Sequence, residues 1–244
     1  MERRGSPIPR EQRLFQDRLP EEFLHPDLNP YLKLHRGWGR PVLTADEAAE
    51  CRGGWHEEFG REAALHVEIG TGNGFFLSGM AAQHPEWNWL GVEIRYKRVV
   101  LTARKLRGAG VQDHARICRY DANHLGELFC PGDIAALYIN HPDPWPKERQ
   151  AKNRLLGTEF VHLLEDLLAP GAELRLKTDH LINVEGLSKA IEGRPFSLVG
   201  RSDDVQARGT PWVDDVVTNY QRKFYEKGLP VYAVWLRRMP GTPP

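Results

Sequence analysis

Along this chain of 244 residues, apolar and polar positions change texture near Ala64. Beyond that point short apolar runs alternate with longer segments of helical period. The run "ALHVEIG" is ended by glycines and predicts a buried strand. "FFLSGMAAQ" predicts a helix, and "WNWLGVEI" a second strand. In "YKRVVLTARKLRGAG", Val99, Ala103 and Leu106 recur at i, i+4, i+7, which predicts a helix with Lys97, Arg98, Arg104 and Lys105 on its other side. "ARICRYD" and "DIAALYIN" read as the third and fourth strands. "EFVHLLEDLLAPG" reads as a helix stopped by Pro-Gly. "AELRLKTD" gives a fifth strand, followed by a helix over "HLINVEGLSKAI". Two late runs, "FSLVGRS" and "VYAVWLRR", suit an antiparallel edge pair. Strands alternating with helices predict an α/β fold with a mostly parallel, doubly wound sheet. Residues 1–62 are proline-rich and weakly periodic; they read as a peripheral extension whose first dozen residues are disordered. The main domain then spans 63–239, with a tail at 240–244.

In doubly wound sheets, ligands bind at the carboxyl ends of the strands. Five of those ends carry an acid: Glu68, Glu93, Asp121, Asp143, and Asp179 after Thr178. Gly70, Gly72 and Gly74 alternate after the first strand. A dinucleotide fingerprint would need a small residue where Phe75 stands, so a pyrophosphate ligand is disfavoured. A nucleoside without phosphates fits better. Glu93, 19 positions after Gly74, suits ribose hydroxyls, and the negative charge of Glu68 suits a cationic sulfonium such as that of S-adenosylmethionine. Asp121 falls where an adenine amino group would be met.

Net charge is zero, which announces no polyanionic partner. Its distribution changes that picture. Six cations and no acid lie between Arg95 and Arg107, and Lys147, Arg149, Lys152 and Arg154 follow the fourth strand with only Glu148 against them. Hydrophobic content of 41% fits a globular chain, and no apolar run is long enough to span a bilayer, so no membrane partner is expected. The start of the chain lacks the apolar stretch of a secretory signal. Cys51, Cys118 and Cys130 are scattered and the histidines show no ligand spacing; a cytoplasmic protein without a metal is expected, its oligomeric state open.

"HVEIGTGNGFFLSGMA", "LGVEI", "DAN", "HPDPWPKERQAKNRL", "LKTD" and "TNYQRKFYEKGLPVY" follow one another in this order. From about Gly53 to Arg237 the chain resembles the bacterial tRNA (guanine-N7)-methyltransferases. The resemblance implies a Rossmann-like, seven-stranded class I methyltransferase fold, S-adenosyl-L-methionine as donor, and tRNA as partner, methylated at N7 of a guanosine in the variable loop. It implies donor contacts at Glu68, Glu93 and Asp121, with Gly70, Gly72, Gly74 and Asn140 beside them. Asp143 is the implied central acid. Lys147, Asp179, Thr218, Asn219, Tyr220 and Gln221 are the implied substrate contacts. The family commonly has Glu at the place of Gln221, His at that of Gln150, and Arg at that of Asn153. An amide at Gln221 keeps hydrogen bonding but brings no charge.

Guanine N7 carries an in-plane lone pair, so methylation there needs no general base, and positioning with electrostatics should dominate. Pro142, Pro144 and Pro146 fix the backbone around Asp143. Asp143 or Asp179 is placed to accept from the guanine edge, and Trp145 either stacks on a splayed base or packs under the loop. Lys147, Arg149, Lys152, Arg154 and the N-terminal arginines are the candidate phosphate contacts. Two other readings remain: a methyltransferase acting on an exocyclic amine of a nucleic-acid base, and an inactive RNA-binding domain of the same fold.

Overall fold

A computed structural model describes residues 5–15, 31 and 37–240. The chain forms two compact units, Met1–Cys130 and Pro131–Pro244.

The first unit contains four parallel strands in the order β1-β4-β3-β2: β1 Val42–Leu43, β2 Leu65–Ile69, β3 Asn88–Glu93 and β4 Ala115–Arg119. The helices of this unit are α1 Ala45–Glu50, α2 Trp55–Phe59, α3 Phe75–Gln83 and α4 Tyr96–Gly108. The stripe expected on α4 is present: Val99, Val100, Ala103 and Leu106 are fully buried, while Lys97, Arg104 and Arg107 face water. Each of the buried Val and Leu side chains contributes ~1.5–3 kcal/mol, and Ala103 less.

Residues 42–59 depart from the peripheral reading. Val42 and Leu43 pair with Ile117 and Cys118, and Leu43, Ala48 and Ala49 are wholly buried. A capping box starts α1: the Glu47 N–H donates to Thr44 Oγ1 at 3.2 Å, and the Thr44 N–H to Glu47 Oε2 at 2.7 Å. Trp55 donates from Nε1 to the Leu128 carbonyl at 2.9 Å. The extra strand β1 makes eight strands among the described residues, one more than the sequence predicts. Part of the first dozen residues is described, from residue 5 onward. A short 3-10 turn forms at Arg10–Gln12, and Arg13 is buried, donating to Asp46 at 3.0 Å and to the Ile8 carbonyl at 2.8 Å. Arg3 and Arg4, among the predicted phosphate contacts, lie outside the described residues.

The second unit has four strands in the order β5-β6-β8-β7: β5 Ile134–Asn140, β6 Leu168–Thr178, β7 Phe196–Ser202 and β8 Tyr232–Arg238. β5 and β6 are parallel, whereas β8 runs antiparallel to both β6 and β7. The late pair is therefore antiparallel as expected, and β8 alone is reversed. The helices are α5 Thr158–Leu167, α6 Leu181–Ala190, α7 Val205–Arg208 and α8 Asn219–Tyr225. Pro170 and Gly171 do not stop α5, which ends at Leu167; they lie inside β6. There the ladder jumps from Ile134–Leu168 to Ala136–Glu173, so the extra residues are absorbed as a bulge.

Gly74 has φ +76°, and a Cβ there would stand 2.6 Å from Thr102 Cα. Its missing side chain lets the start of α3 approach α4, and Thr71 Oγ1 and Thr102 Oγ1 close that contact at 2.9 Å. Gly74→Ala is expected to destabilise the fold by about 2 kcal/mol or more, from left-handed strain plus overpacking. Urea denaturation read by circular dichroism measures the loss.

Candidate active site

In the first unit, the loop after β2 is tied to the end of β3. The Glu93 carboxylate accepts from the Gly72 N–H at 3.1 Å and from the Arg95 N–H at 2.9 Å. Burial pushes the Glu93 carboxyl up, against the lowering effect of those two N–H groups. Each oxygen retains a lone pair after these bonds. Gly70 and Gly72 have φ +73° and +54°, with nothing within 4 Å of where a Cβ would stand. Bare backbone beside a carboxylate with spare acceptor capacity fits an adenosine-type donor whose ribose offers hydroxyls. Asp121 is partly exposed after β4; its Oδ1 accepts from the Asn123 N–H and Nδ2, both at 2.9 Å. Glu68 differs from the expectation of an acid at the strand's rim, for it lies inside β2 opposite Gly91, only 1% exposed. Gly74 is packed under Thr102, so its role is the helix contact just described. Asn140, the remaining predicted donor contact, ends β5 in the second unit and is partly exposed.

In the second unit, β5 runs into His141–Pro146. Two residues there have left-handed backbone, His141 at φ +52° and Trp145 at φ +41°. Each precedes a proline, whose ring disfavours the right-handed basin for its predecessor. Four hydrogen bonds hold the segment: the His141 N–H donates to the Lys177 carbonyl at 2.7 Å, Asn183 Nδ2 to the Pro142 carbonyl at 3.0 Å, Arg154 Nε to the Trp145 carbonyl at 3.1 Å, and Arg154 Nη2 to the Pro146 carbonyl at 3.5 Å. Asp143 stands exposed at the apex.

Asp179, predicted to meet the guanine, is enclosed, its side chain 3% exposed. His141 Nδ1 donates to Asp179 Oδ1 at 3.0 Å, since an ionised carboxylate only accepts, and His180 Nε2 lies 3.3 Å from Oδ2. Burial alone would raise the Asp179 carboxyl; the His141 hydrogen bond, a backbone bond and the two imidazoles hold it below the ordinary value. The His141 ring packs against Tyr220 and Phe224 at 4.9 and 6.1 Å between centroids, and its Nε2 is buried without a hydrogen-bond partner. Tyr220 is half-exposed; burial, then the fields of Asp179 and Asp143, push its hydroxyl up.

Gln221 is not at the surface. It is fully buried, accepting on Oε1 from Lys177 Nζ at 3.0 Å and donating from Nε2 to the Tyr225 hydroxyl. Lys177 Nζ also donates to Asp215 Oδ1 at 2.6 Å and to the Val216 carbonyl at 3.0 Å. Thr218 caps α8 by accepting from the Gln221 N–H at 3.0 Å, and Asn219 is exposed. Lys147 and Arg149 are exposed; the Lys152 side chain lies outside the described residues. Arg154, predicted to grip phosphate, is turned onto the loop carbonyls. Sequence reasoning missed His141, Lys177, Asn183 and Asp215. An imidazole placed directly before a proline was a signal for the first; Lys177 and Asp215 are 38 positions apart and left none.

A strand order with one reversed strand, a glycine loop beside a ribose-type acid, and an exposed acid after the fourth long strand define a class I S-adenosylmethionine-dependent methyltransferase. The fold is shared with the crystal structure of the 16S rRNA methyltransferase KamB, at a TM-score of 0.57 and 14% identity over 76% of this chain and 93% of that one. A family model described as "Putative methyltransferase" matches residues 62–234. The tRNA (guanine-N(7)-)-methyltransferase of Halalkalibacterium halodurans is 32% identical over 79% of this chain and 86% of its own length. That of Bacillus subtilis is 33% identical over 81% and 94%. The chain belongs to the tRNA (guanine-N(7)-)-methyltransferase family.

Two outcomes test the second unit. Lys177→Met should cost about 3 kcal/mol by taking the ammonium from Asp215, whose side chain is 14% exposed, and from buried Gln221, and Lys177→Met with Asp215→Asn should recover part of it; urea midpoints decide. For Asp179, a folded pKa below the unfolded one means stability that is present above the unfolded value and lost as pH falls through the folded value. Asp179→Asn should therefore flatten the acid side of the stability–pH curve, measured by denaturation from neutral pH to about pH 3.

Proposed function

We propose that this chain transfers the methyl group of S-adenosyl-L-methionine to N7 of a guanosine in tRNA, in the variable loop, in the cytoplasm. Family membership over most of the chain supports the donor, the base and the tRNA. The observation that carries the reading at residue level is Asp143, exposed at the apex of a segment fixed by four hydrogen bonds and three prolines. No helix among the described residues is long and apolar enough to cross a membrane.

When bound, the donor supplies an electrophilic methyl on a sulfonium. The first unit's contribution is to bind and orient it: Gly70 and Gly72 give backbone access, while Glu93 accepts ribose hydroxyls and Asp121 the adenine amine. The second unit's contribution is electrostatic. Purine N7 attacks with its own lone pair, so no side chain has to remove a proton. The purine gains positive charge as the methyl arrives, and the Asp143 carboxylate stabilises that charge from a position already set before reaction. Tyr220, half-exposed beside His141, offers a ring face to the base, and Asn219 a neighbouring amide. Lys147, Arg149 and Lys152 meet phosphates near the loop. Exposing a base from folded RNA costs a few kcal/mol, which contacts of this kind offset.

The test is incubation with labelled donor and bulk tRNA, followed by nucleoside analysis. Label in 7-methylguanosine is expected; label in an N-methylated exocyclic amine, or none, overturns the reading. Asp143→Ala should lower kcat about 10²-fold or more with tRNA affinity near normal. Activity within a few-fold of wild type would reduce Asp143 to a turn residue.

A further inference from the structure

The outer face of α4 is distant in sequence from the His141–Pro146 segment, and none of its residues has a role in the reaction above. Lys97, Arg98, Arg104, Lys105 and Arg107 lie on it, and no carboxylate pairs with any of them among the described residues. Their contacts at hydrogen-bond or ring distance are neutral: Lys97 sits over the Tyr31 ring at 5.6 Å, Arg98 donates to Asn73 Oδ1 while also lying in the field of Glu93, Arg104 faces the Trp38 ring at 6.0 Å, Lys105 lies 3.6 Å from the Phe75 centroid, and Arg107 donates to the Trp38 and Arg40 carbonyls, both at 2.8 Å. Other cations of the same unit are matched: Arg40 meets Glu47 and Glu58, Arg116 meets Glu58, and Arg13 meets Asp46. In a chain of zero net charge, five cations on one helix face, none in an ion pair among the described residues, form a local concentration of positive charge.

The face also has shape. A groove of about 610 Å³ runs between the start of α3 and the last turns of α4, lined by Asn73, Phe75, Ser78, Arg104, Lys105 and Gly108 among others. Lys97 and Arg104, like Arg98 and Lys105, are seven residues apart, which places two cationic rungs about 10 Å apart along the axis. The Phe75 ring lies under the Lys105 ammonium, and the Trp38 ring under the Arg104 and Arg107 guanidinium groups, which places these heads before a ligand arrives. Spaced cations on an ordered surface suit the phosphates of a nucleic-acid backbone.

We propose that this face is a second tRNA contact, in which Lys97, Arg98, Arg104 and Lys105 seat backbone phosphates away from the reacting guanosine. It rests on the tRNA reading above and adds a surface to it. Contacts of this kind carry affinity and salt dependence, not base choice.

The experiment compares wild type with Arg104→Ala, Lys105→Ala in one chain, measuring tRNA binding across a salt series, donor affinity, and turnover at saturating tRNA. Loss of two phosphate contacts should reduce the slope of log K against log salt by about 1.5 and weaken tRNA binding about tenfold at low salt. Donor affinity, turnover at saturating tRNA and the thermal melt should match wild type, and Arg104→Glu, Lys105→Glu should weaken tRNA binding further. An unchanged slope and affinity in both variants, in a preparation whose wild type binds and methylates tRNA, overturns this proposal alone and leaves a solvated face. A wild type that neither binds nor methylates tRNA overturns the functional reading, and this surface with it.

Discussion

The second unit is organised around one buried positive charge. The ammonium of Lys177 is 1% exposed in β6, and removing an isolated charge of that size from water costs several kcal/mol. Each of its three N–H bonds meets an oxygen: Asp215 Oδ1, the Val216 carbonyl and Gln221 Oε1. That requirement fixes where the chain between β7 and β8 runs. It ties residues 215 and 216 to the strand, holds the first turn of α8 through Gln221, and so sets Thr218 as the cap and Tyr220 as the ring beside His141. Lys177 also accepts the His141 N–H on its carbonyl. One residue thus fixes both the start of the His141–Pro146 segment and the helix that faces the purine in the proposed reaction.

This arrangement explains the amide at position 221. Lys177 and Asp215 already balance, and a second carboxylate on the same ammonium would leave a net negative charge in a closed space. A neutral acceptor satisfies the third N–H without that cost, and its other end binds the Tyr225 hydroxyl. The residue that resembles a substrate contact in sequence is an internal strut in the structure.

The sheet was legible because buried strands here are short apolar runs closed by glycine or an acid, and α4 because Val99, Ala103 and Leu106 repeat with helical period. β1 was not. Two residues, Val42 and Leu43, carry no period, and their partners Ile117 and Cys118 are some 75 positions away. Pro170–Gly171 read as a helix stop because both residues end helices, but the bulge in β6 accommodates them as well. Strand-end acids were legible as types and positions; their exposure was not. Glu68 and Asp179 are enclosed while Asp143 is open, a difference set by packing from elements remote in sequence. Arg154 looked like part of a basic run until its guanidinium was found on the Trp145 and Pro146 carbonyls.

The left-handed backbone at His141 and Trp145 carries a further consequence. For a residue with a Cβ that conformation costs about 1 kcal/mol or more, and glycine would adopt it freely. The chain keeps an imidazole and an indole at the two hinges of the apex, where a side-chain-free residue would relax them. The penalty therefore attaches to what those rings do: at 141 the imidazole returns it through the bond to the enclosed Asp179 and the packing on Tyr220 and Phe224, which glycine would forfeit.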